Sequence, residues 1–116
     1  MSVYKIFHNP RCSKSRQTLQ LLKDNNCKIE IISYLEIDLK VSSIKELLKK
    51  LTLKPRDILR KCEQEYKDNN LKKDNLSEED LINYMIKYPK LIERPIVVKG
   101  DKAVIGRPPE KVLELI

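Results

Sequence analysis

Apolar residues fall along this chain in runs whose spacing changes several times, and each change predicts a new element. Val3 to Phe7 is short, apolar and β-prone, and predicts a strand that Asn9-Pro10 breaks. Leu19 and Leu22 put an apolar stripe on the next segment, a helix for which Ser13 or Ser15 can supply the N-cap and Asn25-Asn26 the stop. "KIEIISY", Lys28 to Tyr34, sets Ile29 and Ile31 against Lys28 and Glu30, the two-residue period of a second strand. Ile44, Leu47, Leu48 and Leu51 then follow at i, i+3, i+4 and i+7, with the capping-box pattern "SIKE" at Ser43 to Glu46. Pro55 can open a short helix through Arg60, and the polar residues 63–75 predict a loop. Ser77 with Asp80 is a second capping signal with Leu76 and Leu81 as a hydrophobic staple, and Leu81, Ile82 and Met85 give that helix a buried face up to Pro89. "PIVVKGDKAVIG" predicts strands at Ile96 to Val98 and Ala103 to Ile105 joined at Gly100-Asp101. Pro108-Pro109 starts a last helix with Val112, Leu113 and Ile116 apolar.

The order is therefore β-α-β, a helical block, then β-β-α. A parallel crossover is the default for the opening unit, and the whole predicts an α/β protein: a thioredoxin-like four-stranded mixed sheet flanked by helices. It is a single domain of residues 1–116, with a core of 1–39 and 91–116 and a helical insertion at about 40–90. A chain of 116 residues buries roughly 65% of the surface its unfolded form exposes, so it needs no disulfide or metal to fold.

Charge narrows the range of partners. Lys+Arg outnumber Asp+Glu by 24 to 17, a net charge of +7, which favours anions. The basic residues are scattered and aromatics make up only 5%, so nucleic acid is not expected. The N-terminal "MSVYKIF" has no long apolar run and no segment approaches the ~20 residues of a membrane span, so a cytoplasmic protein with no membrane partner is expected. Only six of the 24 basic residues are arginines: Arg11, Arg16, Arg56, Arg60, Arg94 and Arg107. Where a lysine-rich chain still uses arginine, the planar guanidinium fork is a candidate reason.

The candidate chemistry lies in "HNPRCSKSR", residues 8–16. Cys12 stands at a strand-to-helix turn, where unpaired N–H groups and the helix dipole favour a thiolate. Arg11, Lys14 and Arg16 add positive potential, and His8, the only histidine, could fold back to help. Redox dithiols use Cys-x-x-Cys, whereas "CSKS" puts Ser15 where the second thiol would stand. The chemistry is then monothiol, with Ser15 able to donate a hydrogen bond to the thiolate. Cys27 reads as core filler and Cys62 as a solvent-facing bystander or a resolving thiol. One histidine and three scattered cysteines lack metal-ligand spacing, so no metal is expected.

"HNPRCSKSR", "LRK" at 59–61, "RPIVV" at 94–98 and "IGRP" at 105–108 together resemble the glutaredoxin-coupled arsenate reductase family, over essentially the whole chain. The resemblance implies a thioredoxin-like fold with a helical insertion. It implies Cys12 as the nucleophile that attacks arsenate to form a thioarsenate adduct, His8 as a residue that tunes it, and Arg60, Arg94 and Arg107 as the oxyanion-binding set. Pro95 matches a cis proline beside the active site. It further implies glutathione as cosubstrate, glutaredoxin as the partner that reduces the mixed disulfide, and no bound cofactor. A monomer is expected. Two alternatives use the same features: a monothiol oxidoreductase acting on glutathione mixed disulfides, and a non-enzymatic RNA-polymerase-binding regulator of the same fold, whose turn often carries Cys-x-x-Cys.

Overall fold

The computed structural model describes residues 3–36, 39–73 and 75–116, and these fall into two compact units, Met1–Ile37 with Arg94–Ile116 and, between them in the chain, Asp38–Glu93. The first unit holds β1 (Val3–Phe7), α1 (Ser13–Asp24), β2 (Lys28–Ile32), β3 (Ile96–Lys99), β4 (Lys102–Ile105) and a 3-10 helix, Pro109–Leu115. Its four strands make a mixed sheet in the order β2-β1-β3-β4, with β1 parallel to β2 and antiparallel to β3, and β3 antiparallel to β4. The second strand is shorter than its sequence pattern predicts. It ends at Ile32, the partner of Phe7 where β1 stops, because a strand persists only as far as its ladder.

One face of the sheet carries Tyr4, Ile6 and Val97, which pack with Leu22 of α1 and with Val112 and Leu115 of the 3-10 helix. Leu19, Cys27 and Ile29 lie against this cluster. β2 is an edge strand, and Ile31, on the same face as Ile29 and one pair further along, stays half exposed. The terminal segment winds as a 3-10 helix, and its buried residues are Pro109, Val112 and Leu115. Their spacing of three matches a helix of three residues per turn. The predicted stripe through Leu113 and Ile116 is corrected: both are exposed.

The second unit contains α2 (Val41–Leu51), a 3-10 turn at Pro55–Ile58, α3 (Gln64–Asp68), α4 (Glu78–Lys87) and a 3-10 turn at Pro89–Leu91. α4 packs against α2 and both 3-10 turns, and Ile44, Ile58, Leu71, Met85 and Leu91 are fully buried. The capping box at Ser77 is present: its hydroxyl accepts the Asp80 N–H at 3.0 Å while the Asp80 carboxylate accepts the Ser77 N–H at 3.0 Å. The one predicted at Ser43 is not. α2 starts at Val41 with Lys40 as N-cap, leaving Ser43 inside the first turn. The predicted loop at 63–75 contains the short α3, which buries nothing and so leaves no apolar signature, while Asp74 lies outside the described residues.

Candidate active site

The loop that carries Cys12 is held by its own buried polar groups. The His8 N–H bonds to the Ile32 carbonyl at 3.0 Å, carrying the β1–β2 ladder one residue past Phe7. Asn9, buried, then folds the chain: its side-chain oxygen accepts the Arg11 N–H and its carbonyl the Cys12 N–H, both at 3.0 Å. The Ser15 hydroxyl, fully buried, accepts the Asn9 N–H at 3.1 Å and lies 2.7 Å from His8 Nδ1. These bonds place Cys12 as the N-cap of α1, in extended conformation and without a side-chain capping bond, while its carbonyl accepts the Arg16 N–H. The cap is thus Cys12 rather than Ser13 or Ser15. A sulfur at this position faces the open N–H groups of the first turn.

The hairpin supplies the cations. Ile96 pairs with Ile105 at its open end, and the Gly106 N–H bonds to the Pro95 carbonyl at 2.9 Å, one rung further. Arg94 and Arg107 therefore stand side by side, and the Arg107 Nε donates to the Arg94 carbonyl at 2.8 Å. Because β3 pairs with β1 through Ile96 and Phe7, this end of the hairpin lies beside the start of the cysteine loop. The Arg107 Nη2 reaches the Cys12 sulfur at 3.5 Å, and the Arg94 side chain also hydrogen-bonds it. Gly106 makes the approach close enough: a Cβ there would lie 2.5 Å from Thr18 Oγ1 and 2.9 Å from Pro95 Cγ. The Arg94–Pro95 and Arg107–Pro108 peptide bonds are both cis, the first as the family resemblance implies and the second without a prior expectation.

Burial opposes ionisation of Cys12, but the Ser15 N–H, the Arg94 side chain, the Lys14 N–H and the Arg94 charge outweigh it, and the thiol titrates below its ordinary value. His8 is shifted down too, first by burial and then by the charges of Lys23 and Arg16, so at neutral pH its imidazole is uncharged.

Two assignments to the thiolate are corrected. The Ser15 hydroxyl is taken by Asn9 and His8, and it is the Ser15 backbone N–H that favours the thiolate. The Arg16 guanidinium, exposed, donates to the Pro10 carbonyl at 3.3 Å. His8 meets the Ser15 hydroxyl through Nδ1. Hydrophobic patterning could not have found Asn9 or Gly106, whose roles lie in backbone hydrogen bonds and in the space a side chain would fill.

Arg60 belongs to the second unit. Its Nη1 pairs with Glu93 at 2.8 Å, its Nε lies 3.6 Å from Glu63, and its Nη2 lies 3.6 Å from the exposed Cys62 sulfur. Burial alone would lower its pKa, but the Glu93 and Cys62 charges, the bond to Glu93 and the Glu63 charge raise it. Arg56 donates to the Leu71 carbonyl at 2.9 Å and to the Lys73 carbonyl, which makes it a structural tie within that unit. Among the described residues no cluster of His, Cys, Asp or Glu could hold a metal ion, and no helix is long and apolar enough to cross a membrane.

A β2-β1-β3-β4 mixed sheet with a cysteine capping the helix after β1 defines a thioredoxin-like protein with a single thiol at the active-site turn. The chain belongs to the ArsC family, whose model matches residues 7–115. It is 52% identical to the uncharacterized protein YfgD of Escherichia coli K12, over 97% of this chain and 95% of that protein. It is 44% identical to the arsenate reductase of Haemophilus influenzae, over 96% and 97%. The structure of the arsenate reductase from Vibrio cholerae superposes with a TM-score of 0.96 at 45% identity, covering 99% of this chain and 98% of that one.

Proposed function

We propose that this protein reduces arsenate to arsenite, with Cys12 as its nucleophile. The observation that carries the proposal is the half-buried Cys12 sulfur beside Arg94 and Arg107, with its titration lowered by the first-turn N–H groups and by Arg94. A thiolate is the reactive form of cysteine, and two guanidiniums beside it suit a tetrahedral oxyanion, which they bind through paired, charge-assisted hydrogen bonds. The names of the relatives above support arsenate as that oxyanion. Arg60 is proposed as its third arginine, on the family resemblance.

In the first step the Cys12 thiolate attacks arsenic(V), a sulfur–arsenic bond forms, and an arsenate oxygen leaves as water after protonation. Arg94 and Arg107 stabilise the charge that builds on the oxygens. The thiolate of glutathione then attacks the Cys12 sulfur. The sulfur–arsenic electron pair stays with arsenic, which departs as arsenite, and Cys12 is left in a disulfide with glutathione. Glutaredoxin takes up the glutathione and returns Cys12 as a thiol. With Ser15 in place of a second local thiol, and its hydroxyl bonded elsewhere, the resolving thiol comes from outside. A reducing cytoplasm supplies such thiols.

The test is steady-state arsenate reduction with glutathione and glutaredoxin. Cys12→Ser is expected to abolish turnover. Arg107→Lys keeps the charge but cannot both donate to the Arg94 carbonyl and reach the substrate, and is expected to lose about a hundredfold in rate. A parent without arsenate turnover, or a Cys12→Ser variant that retains it, would overturn the assignment.

A further inference from the structure

A helix start is usually capped by a side-chain oxygen of Ser, Thr, Asp or Asn, which accepts an N–H of the first turn. The loop before α1 offers such an oxygen at Asn9, yet α1 has Cys12 as its N-cap and no side-chain capping bond. The bonds of Asn9 show where its polar groups go instead. Its Oδ1 accepts the Arg11 N–H, two residues on, and its carbonyl accepts the Cys12 N–H, three residues on, both at 3.0 Å. One residue thus closes the turn 9–12 twice, once through its side chain and once through its backbone. Pro10 follows it at the position of a turn that a fixed φ suits. The Asn9 N–H occupies the Ser15 hydroxyl at 3.1 Å. Asn9 is buried, so these bonds hold the turn from inside. Cys12 leaves the turn in extended backbone, φ −94° and ψ 122°, and the Lys14 and Ser15 N–H groups serve its sulfur.

We propose that Asn9 is a positioning residue for the Cys12 nucleophile: its side chain closes the turn that seats Cys12 at the start of α1 and leaves the first-turn N–H groups to the sulfur. The inference deepens the proposed function and rests on it only for the role of Cys12. Asparagine is among the preferred capping residues, whereas a thiol is a weak acceptor. A loop shaped for stability alone would put the oxygen at the cap. Here the oxygen is directed to Arg11, and the cap position falls to sulfur. Without Oδ1 the Arg11 N–H loses its partner, the turn loosens, and less holds Cys12 in the extended conformation a capping residue needs. The other groups that face the loop are not touched by that change. Arg94 and Arg107 reach the sulfur from the hairpin, and His8 stays on the Ser15 hydroxyl. The effect of Asn9 on the thiol therefore runs through the helix start.

The experiment follows iodoacetamide labelling of Cys12 against pH by mass spectrometry on the full chain, beside a thermal melt and the pH profile of kcat/KM for arsenate. Asn9→Ala is expected to raise the labelling midpoint by about one pH unit and to carry the acidic limb of kcat/KM up with it. Asn9→Ser keeps a shorter oxygen that closes the same turn more weakly, and should fall between the parent and Asn9→Ala. Ser15→Ala separates seating from stability: it also removes a bond of this loop, but leaves the Asn9 Oδ1 on Arg11, so its midpoint should stay near that of the parent. A folded Asn9→Ala with the midpoint of the parent, or the same shift in Ser15→Ala, overturns the proposal. If Asn9→Ala fails to fold, Asn9→Ser decides by the same labelling: a raised midpoint supports the role and an unmoved one overturns it. A parent without arsenate turnover overturns the proposed function instead, and the labelling series alone then decides on Asn9.

Discussion

At Cys12, desolvation raises the thiol pKa while N–H groups of Ser15 and Lys14 and the Arg94 guanidinium lower it, and the lowering prevails. Only thiolate reacts with iodoacetamide, so the labelling rate of Cys12 should rise with pH about a midpoint below the ~8.5 of a free cysteine. Arg94→Ala removes one hydrogen bond and one charge but neither N–H group, and should move that midpoint up part of the way. An unchanged midpoint, read by mass spectrometry, would refute the role of Arg94. Ser15 is the residue whose type was legible and whose role was not. A helical side chain leans back toward the N-terminus, which carries this hydroxyl to Asn9 and His8 and leaves the sulfur to the backbone. Ser15→Ala should therefore cost about 1–3 kcal/mol of stability, because it strands the buried Asn9 N–H, while moving the Cys12 titration little. A thermal melt beside the same labelling series separates the two effects. A large shift of the thiol at unchanged stability would return the hydroxyl to the sulfur.

Most elements were legible because their apolar residues repeat at the period of the structure they form. β1, α1, α4 and the hairpin lie close to where the pattern puts them. The errors share a cause, which is that neighbours overrode a local signal. Packing of Ile44, Leu47 and Leu48 carries α2 a turn back past the Ser43 capping pattern, and β2 stops with its partner although Tyr34 beyond it is buried. Within α1 the buried face includes Ser15 and Thr18, polar residues that periodicity counts as exposed. Thr18 matters for the hairpin: its hydroxyl donates to the Lys14 carbonyl at 2.9 Å and comes within 3.5 Å of the Gly106 carbonyl. The hairpin end thus rests against α1 through a contact that leaves no room for a methyl group. Gly106→Ala should destabilise the fold by about 1–3 kcal/mol as overpacking and displace Arg107 from the sulfur. Denaturant melts and Cys12 labelling would detect both. A variant as stable and reactive as the parent would show that the contact yields freely.

Across the molecule, the sequence revealed the thiol and the arginines but not their order of assembly. The first unit is discontinuous: β3 lies next to β1 although the second unit's residues separate them in the chain. Cys12 is translated early, whereas Arg94 and Arg107 are among the last quarter of the residues to be added. Synthesis therefore produces the thiol and its helix-start N–H groups well before the two guanidiniums of the hairpin. A chain ending at Glu93 keeps the Ser15 and Lys14 N–H groups but lacks Arg94, so its Cys12 should label with a pH midpoint above that of the full chain. A low midpoint in that fragment would assign activation to the helix start alone. The discontinuity acts as a timer: the Arg94 and Arg107 guanidiniums reach the Cys12 sulfur only when the final hairpin closes against β1.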